Sequence, residues 1–197
     1  MEKLLLATNN PGKVREFSRL LSDVPFTVVT PAELGLQLDV VEDGTTYAEN
    51  AAKKARAFAA AGGCWALADD SGIEVDALDG APGLYSARFG WPALDDTGRY
   101  RLLLLKLFGV PDAQRTARYR AIVAVASPDG EVHDFEATFE GHIGHGPHGD
   151  RGFGYDPIFV TADGRTAAEL PDVAKDAQSH RGKAVRAAAE YLRTVCR

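Results

Sequence analysis

The chain opens on a compact apolar run, Lys3 to Thr8, that reads as a strand. Pro11 stands where a first helical turn accepts it. Val14, Phe17 and Leu21 then recur at helical spacing and leave Lys13, Arg15, Glu16 and Arg19 for the other faces. Phe26 to Thr30 is a second, β-branched strand. Thr46-x-x-Glu49 has the form of a capping box, and the alanine-rich helix behind it stops at Gly62-Gly63. The apolar run from Trp65 reads as a buried strand that ends at Asp69-Asp70-Ser71-Gly72, after which hydrophobic sequence resumes. A helix is predicted over Asp95 to Phe108, with Leu102 to Leu105 as a wide buried face. Tyr119 to Ala126 and Val132 to Phe139 pair as a hairpin through Ser127-Pro128-Asp129-Gly130. The stretch Gly141 to Gly154, rich in glycine and histidine, reads as a mobile surface loop before a short strand, Ile158 to Thr161. Val185, Ala188, Leu192 and Val195 mark a closing helix. The alternation predicts one α/β unit, with the hairpin region as a candidate second lobe.

Composition narrows the function. The 197 residues, 45% of them hydrophobic, suit one large domain or two lobes sharing a core. A net charge of −6 excludes nonspecific nucleic-acid binding, which needs a broad basic face. It leaves room for a small polyanion, because a metal and a few focused lysines reverse the potential locally. The two cysteines, Cys64 and Cys196, fit a reduced cytosolic protein better than a disulfide scaffold or a zinc module. No segment reads as a membrane span or a signal peptide, so a cytoplasmic protein with no membrane partner is expected.

The chemistry concentrates in a few segments. Adjacent carboxylates repel, so Asp69-Asp70 at a strand end point to a cation or to general base chemistry. Thr8-Asn9-Asn10-Pro11-Gly12-Lys13 follows a strand and opens a helix, where free N–H groups favour an anion. It is not a P-loop, and an ordinary turn with asparagine caps is its alternative. Glu42-Asp43-Gly44-Thr45 reads equally as a solvated acidic turn. Lys54, beside Lys53 and Arg56, reads alone as surface charge. His142, His145 and His148 lie among glycines with no helix to align them, so a surface loop is expected there rather than a metal site. In Phe153-Gly154-Tyr155-Asp156-Pro157, two rings and an acceptor suit stacking on a purine and reading its edge, with an aromatic core turn as the competitor. Together with Ser179-His180-Arg181, these segments suggest an enzyme acting on a nucleotide polyphosphate.

As a set, the segments resemble the inosine triphosphate pyrophosphatase family, hydrolases of non-standard purine nucleoside triphosphates, almost end to end. The resemblance is carried by Thr8-Asn9-Asn10-Pro-Gly-Lys13, Glu42-Asp-Gly, Glu49-Asn50-Ala-Ala-Lys-Lys54-Ala and Asp69-Asp70-Ser71-Gly72. It continues through Gly80-Ala-Pro-Gly83-Leu-Tyr85-Ser86-Ala-Arg88, Gly152-Phe153-Gly154-Tyr155-Asp156-Pro157, Thr166-Ala-Ala-Glu169-Leu, Lys175 and Ser179-His180-Arg181-Gly182. It implies a single α/β nucleotide pyrophosphatase domain over residues 1–197. That domain is expected to be two-lobed, with a mixed, twisted central sheet flanked by helices, a nucleotide cleft between the lobes, and homodimeric assembly.

By position, the resemblance makes Thr8, Asn9, Asn10 and Lys13 the phosphate-binding segment and Lys54 a second phosphate lysine. Glu42 and Asp70 match magnesium-binding acids, Asp70 also matches the catalytic base, and Asp69 stands beside it as a third acid for the metal. Ser71 matches a substrate contact. Phe153, Gly154, Tyr155, Asp156, Lys175, His180 and Arg181 match the base-recognition set. Mg2+ suits carboxylate, phosphate and water oxygens. The implied reaction takes a purine nucleoside triphosphate (ITP, dITP or XTP) to its monophosphate and pyrophosphate, with Asp70, Lys13 and Lys54 catalytic. Two alternatives stay open at this stage: a related pyrophosphatase for pyrimidine or modified nucleotides, and a regulator that binds a nucleotide without cleaving it.

Overall fold

The computed structural model describes residues 1–91 and 93–196. The strands are β1 (Glu2–Leu6), β2 (Phe26–Val29), β3 (Trp65–Val75), β4 (Thr116–Ala126), β5 (Val132–Ile143) and β6 (Phe159–Val160). They form one mixed sheet in the order β2-β1-β3-β4-β5-β6. β1 runs parallel to β2 and to β3, whereas β6 is antiparallel to β5. The helices are α1 (Pro11–Leu20), α2 (Tyr47–Gly62), α3 (Asp96–Lys106), α4 (Asp172–Gln178) and α5 (His180–Val195). The mixed sheet with helices that the sequence predicts is present.

The chain divides into two compact units. The first holds Met1–Asp70, Ala121–Ala137 and the residues from His180 onward. Its core joins Leu4 and Leu6 of β1, Phe17 and Leu21, Leu67 of β3, Val123 and Val125 of β4, and Val185 and Leu192 of α5. The second holds Ser71–Arg120 and Thr138–Ser179. Ile73, Leu103, Leu107, Tyr119, Phe139, Tyr155 and Phe159 are buried together there.

Local sequence explains the helix ends. Asn10 caps α1, its side-chain oxygen accepting from the amides of Gly12 (2.8 Å) and Lys13 (3.2 Å). Thr46 caps α2 through the Glu49 amide, and Gly63, at φ 59°, closes that helix in the left-handed region.

Several expectations are corrected. β3 does not end at the carboxylates but runs on to Val75, so Asp69 and Asp70 sit in mid-strand. Glu16, which the helical spacing leaves off the apolar face of α1, is nevertheless buried, where Arg181 pairs with it. On α3, Leu103 is buried but Leu105 is 70% exposed, because a helix turns 100° per residue and four consecutive leucines cannot share one face. Gly141 to Ile143 belong to β5, where His142 pairs with Val160 and Ile143 with Phe159, so the predicted loop begins later. The closing helix is present as α5, which carries Val185, Ala188, Leu192 and Val195, and a short helix that the sequence reading did not include, α4, precedes it.

Candidate active site

In the first unit, β3 delivers two carboxylates to opposite faces of the sheet, as a strand's period of two requires. Asp69 shares a face with Leu67 and meets α1 and α5. Its Oδ1 accepts from Lys13 Nζ at 2.8 Å and its Oδ2 from Arg181 Nε at 3.2 Å. Arg181 Nη1 donates to Glu16 at 2.6 Å. Lys13 and Glu16, three apart on α1, are thus the two ends of a chain of alternating charge that runs through Asp69 and Arg181. Burial opposes ionisation of Asp69, but Lys13, Arg181 and Lys54 outweigh it and hold the carboxyl well below the usual carboxylate range. For Arg181, the same two carboxylates overcome burial and raise its pKa.

Asp70 faces α2, and its environment is the reverse. Its Oδ2 accepts from Asn50 Nδ2 at 3.0 Å. Asn50 is itself set by the Gly44 amide, which donates to its Oδ1 at 2.8 Å. A Cβ on Gly44 would lie 2.6 Å from that oxygen, so the turn and the asparagine approach closely only because residue 44 is glycine. Lys54, buried rather than a surface charge, donates to the Asp69 carbonyl at 2.6 Å and pairs with Glu42 at 2.9 Å. Burial raises the Asp70 pKa, with the nearby negative Glu42 pushing the same way against the opposing pull of Lys54 and the Asn50 hydrogen bond. A carboxylate next to a lysine and an acid, held above its ordinary range, is equipped to take a proton.

Among the described residues no group of three or more His, Cys, Asp or Glu side chains forms a metal cage. Asp70 and Glu42 remain as hard oxygen donors gathered around Lys54, a set that fits a magnesium ion, which keeps waters and takes one or two carboxylates plus phosphate. Asp69, expected as a third metal acid, has each oxygen engaged by a cation. Thr8 receives the Asn10 amide at its hydroxyl (3.2 Å), and Asn9 and Asn10 are exposed at the start of α1. The asparagine-cap alternative for this segment is therefore present, whatever else these residues bind. Ser71 follows Asp70 on β3, and His180 is buried in the first turn of α5.

The second unit carries the aromatic turn. Asp156 is buried, its Oδ1 accepting from Tyr119 (3.2 Å) and its Oδ2 from Lys175 Nζ (2.7 Å) and the Phe153 amide (3.0 Å). Lys175 Nζ also lies 5.4 Å from the Phe153 ring centre, a cation–π contact. Gly152, at φ 74°, would place a Cβ 2.1 Å from Asp156 Oδ2, so only glycine fits there. The paired clamp expected of Phe153 and Tyr155 is not what this turn builds. Phe153 is half-buried, but the Tyr155 ring lies in the core and its hydroxyl donates to the Ser86 carbonyl at 2.8 Å. Burial raises the Tyr155 pKa far above its usual value.

Sequence reasoning missed Asn50 and Glu16 as members of the first cluster. Glu16 had a signal in its spacing from Lys13, and Asn50 in being a poor helix former at the fourth position of a helix otherwise rich in alanine. The histidine-rich stretch forms no metal group among the described residues, and His145 instead pairs with Asp112 at 2.6 Å.

The chain belongs to the Ham1 family, whose sequence model matches residues 4–191. The dITP/XTP pyrophosphatase of Desulforamulus reducens is 50% identical over 191 residues, covering 96% of this chain and 95% of that protein. The dITP/XTP pyrophosphatase of an Exiguobacterium species is 48% identical over 185 residues, 93% of each chain. A HAM1 protein structure from Coxiella burnetii superimposes with a TM-score of 0.89 at 36% identity, covering 99% of this chain and 100% of that one.

Proposed function

We propose that this protein is a nucleoside triphosphate pyrophosphatase that hydrolyses ITP, dITP and XTP to the monophosphate and pyrophosphate. One observation carries the reading: a single strand presents Asp69, clamped by Lys13 and Arg181, and next to it a buried Asp70 held by Asn50, in a chain half identical to a dITP/XTP pyrophosphatase. A protein that only bound a polyanion would gain nothing from the second carboxylate.

Lys13 and Lys54 neutralise the phosphates, with Thr8, Asn9, Asn10 and Ser71 as further contacts. Asp70 orients the attacking water and takes its proton on a carboxylate oxygen, for which its raised pKa suits it. Glu42 and Asp70 would hold magnesium, which when bound lowers the pKa of a coordinated water and offsets charge on the leaving pyrophosphate. Asp69 supports this set by fixing Lys13 and Arg181. Phe153 supplies a stacking face, with Gly154 and Asp156 shaping the turn that presents it. Lys175 and His180 supply donors to the oxygen at C6 of hypoxanthine or xanthine. Adenine has an amino group there, and an unpaired buried donor costs on the order of 1–3 kcal/mol.

Unpaired Cys64 and Cys196, and described helices none of which is long and apolar enough to cross a membrane, support work in the cytosol on free nucleotide. Leu105 and Phe108, exposed and three residues apart at the end of α3, offer apolar surface for a homodimer. The test is to incubate the protein with inosine triphosphate and magnesium and to measure pyrophosphate and orthophosphate separately. Pyrophosphate in step with inosine monophosphate is expected. Orthophosphate alone would make the protein a phosphatase, and neither product would make it a binder.

A further inference from the structure

The Phe153–Asp156 turn is held from two sides, and only one of them is explained by the residues assigned to the base. Asp156 holds the Phe153 amide at 3.0 Å. The next amide, that of Gly154, donates to Asp96 Oδ2 at 2.8 Å, a contact spanning 58 residues of sequence. Asp96 is the first residue of α3, and its other oxygen accepts from Arg99 Nη1 at 3.2 Å, one turn along the same helix. Gly154 sits at φ 64°, with open space where a Cβ would be, so no side chain of its own fixes its peptide plane. A carboxylate accepting from a backbone N–H makes a charge-assisted bond, stronger and more directional than a neutral one. Two successive amides of this turn are thus each oriented by a carboxylate, one local and one from α3.

We propose that Asp96 is a positioning residue for base recognition: through the Gly154 amide it sets the peptide that carries the Phe153 ring. The inference rests on the reading of Phe153 as the stacking face. Asp96 touches no reacting atom, so its loss should weaken binding of the base without slowing the chemical step. Asp95, its neighbour, provides the internal comparison. Its Oδ1 accepts from the Gly98 amide at 2.7 Å as the cap of α3, and no bond to Gly154 involves it. Removing Asp95 destabilises the helix, whereas removing Asp96 releases the turn.

The experiment measures kcat and KM for inosine triphosphate in Asp96→Ala, Asp96→Asn, Asp95→Ala and Phe153→Ala, with amide hydrogen exchange of residues 152–156. Asp96→Ala should raise KM about tenfold with kcat within about twofold of wild type, the loss of one charge-assisted hydrogen bond. Exchange at Gly154 should quicken. Asp96→Asn keeps an acceptor oxygen and should recover most of the lost affinity. Asp95→Ala should melt lower yet keep KM and Gly154 exchange unchanged. Wild-type KM in Asp96→Ala overturns the inference, as does an equal rise in KM for Asp95→Ala, which would make helix stability the cause. Phe153→Ala separates the two levels. If it leaves KM unchanged, the stacking reading fails and takes this inference with it; if it raises KM while Asp96→Ala does not, the inference alone fails.

Discussion

Asp69 and Asp70 are consecutive residues of one strand, yet the structure drives their ionisation in opposite directions. Asp69 meets Lys13 and Arg181 and is held below its ordinary pKa, whereas Asp70 meets Asn50 and is pushed above it by burial. Alternation of side chains across the sheet makes this possible, since neighbours on a strand point to opposite faces and reach different helices. The repulsion expected of adjacent acids is relieved by sending one to a pair of cations and leaving the other easily protonated.

Asp69→Asn should destabilise the fold, because it leaves the buried ends of Lys13 and Arg181 short of a counter-charge. Breaking a buried pair by removing one partner typically costs about 3–5 kcal/mol, and Glu16, which stays on Arg181, favours the lower end. Urea denaturation at neutral pH reads this directly. Stability equal to wild type would show that the ion cluster contributes nothing to folding.

Asp70→Asn should do the opposite to stability while removing activity. The substitution deletes a charge that burial disfavours and keeps an oxygen for Asn50, so the variant should melt no lower than wild type at pH 7. Turnover should fall by about 10²-fold or more, the usual contribution of a general base. The sign with pH follows from the raised pKa. Below it the folded protein binds a proton that the unfolded chain, titrating at about 4, does not yet hold. Wild-type stability relative to the variant should therefore improve as pH falls through the folded pKa and level off below the unfolded one. A variant less stable than wild type at pH 7 would contradict the burial argument.

Arg181→Ala tests whether this residue reads the base or only builds the site. Its Nε and Nη1 are engaged by Asp69 and Glu16, so the turnover of inosine triphosphate and of ATP should drop by a similar factor. A selective loss with inosine triphosphate, collapsing the ratio between the two substrates, would return Arg181 to the base-recognition set.

Tyr155→Phe should lower stability by about 1 kcal/mol, the net worth of the hydrogen bond to the Ser86 carbonyl, and leave KM for inosine triphosphate unchanged. A raised KM at full stability would place the Tyr155 hydroxyl in substrate binding.

Chelation should stop turnover at every pH, and magnesium should restore it, with activity rising toward alkaline pH as the attacking water loses its proton more readily. Full turnover in excess chelator would remove the metal from the mechanism.

Much of this protein is written locally. The caps at Asn10 and Thr46, the glycine stop at Gly63 and the apolar periods of α1 and α5 place those elements from short windows, because capping and burial of one helix face depend on residues a few positions apart. The motif segments likewise point to phosphate, metal and purine chemistry, since that chemistry needs particular residue types whatever the fold. Windows of that size say nothing about which distant side chain meets which. The continuation of β3 through its two acids depends on pairing with other strands. Glu16 looks like surface charge until Arg181, 165 residues away, arrives beside it. Lys54 looks solvated until the Asp69 carbonyl takes its ammonium. Tyr155 and Phe153 are two rings of one short motif, and packing against Ile73 and Phe159 sends one of them into the core. Residue types and helix ends come from neighbours in sequence. The charge states of Asp69 and Asp70, and hence which of them is equipped to take a proton, come from the partners that folding brings to opposite faces of one strand.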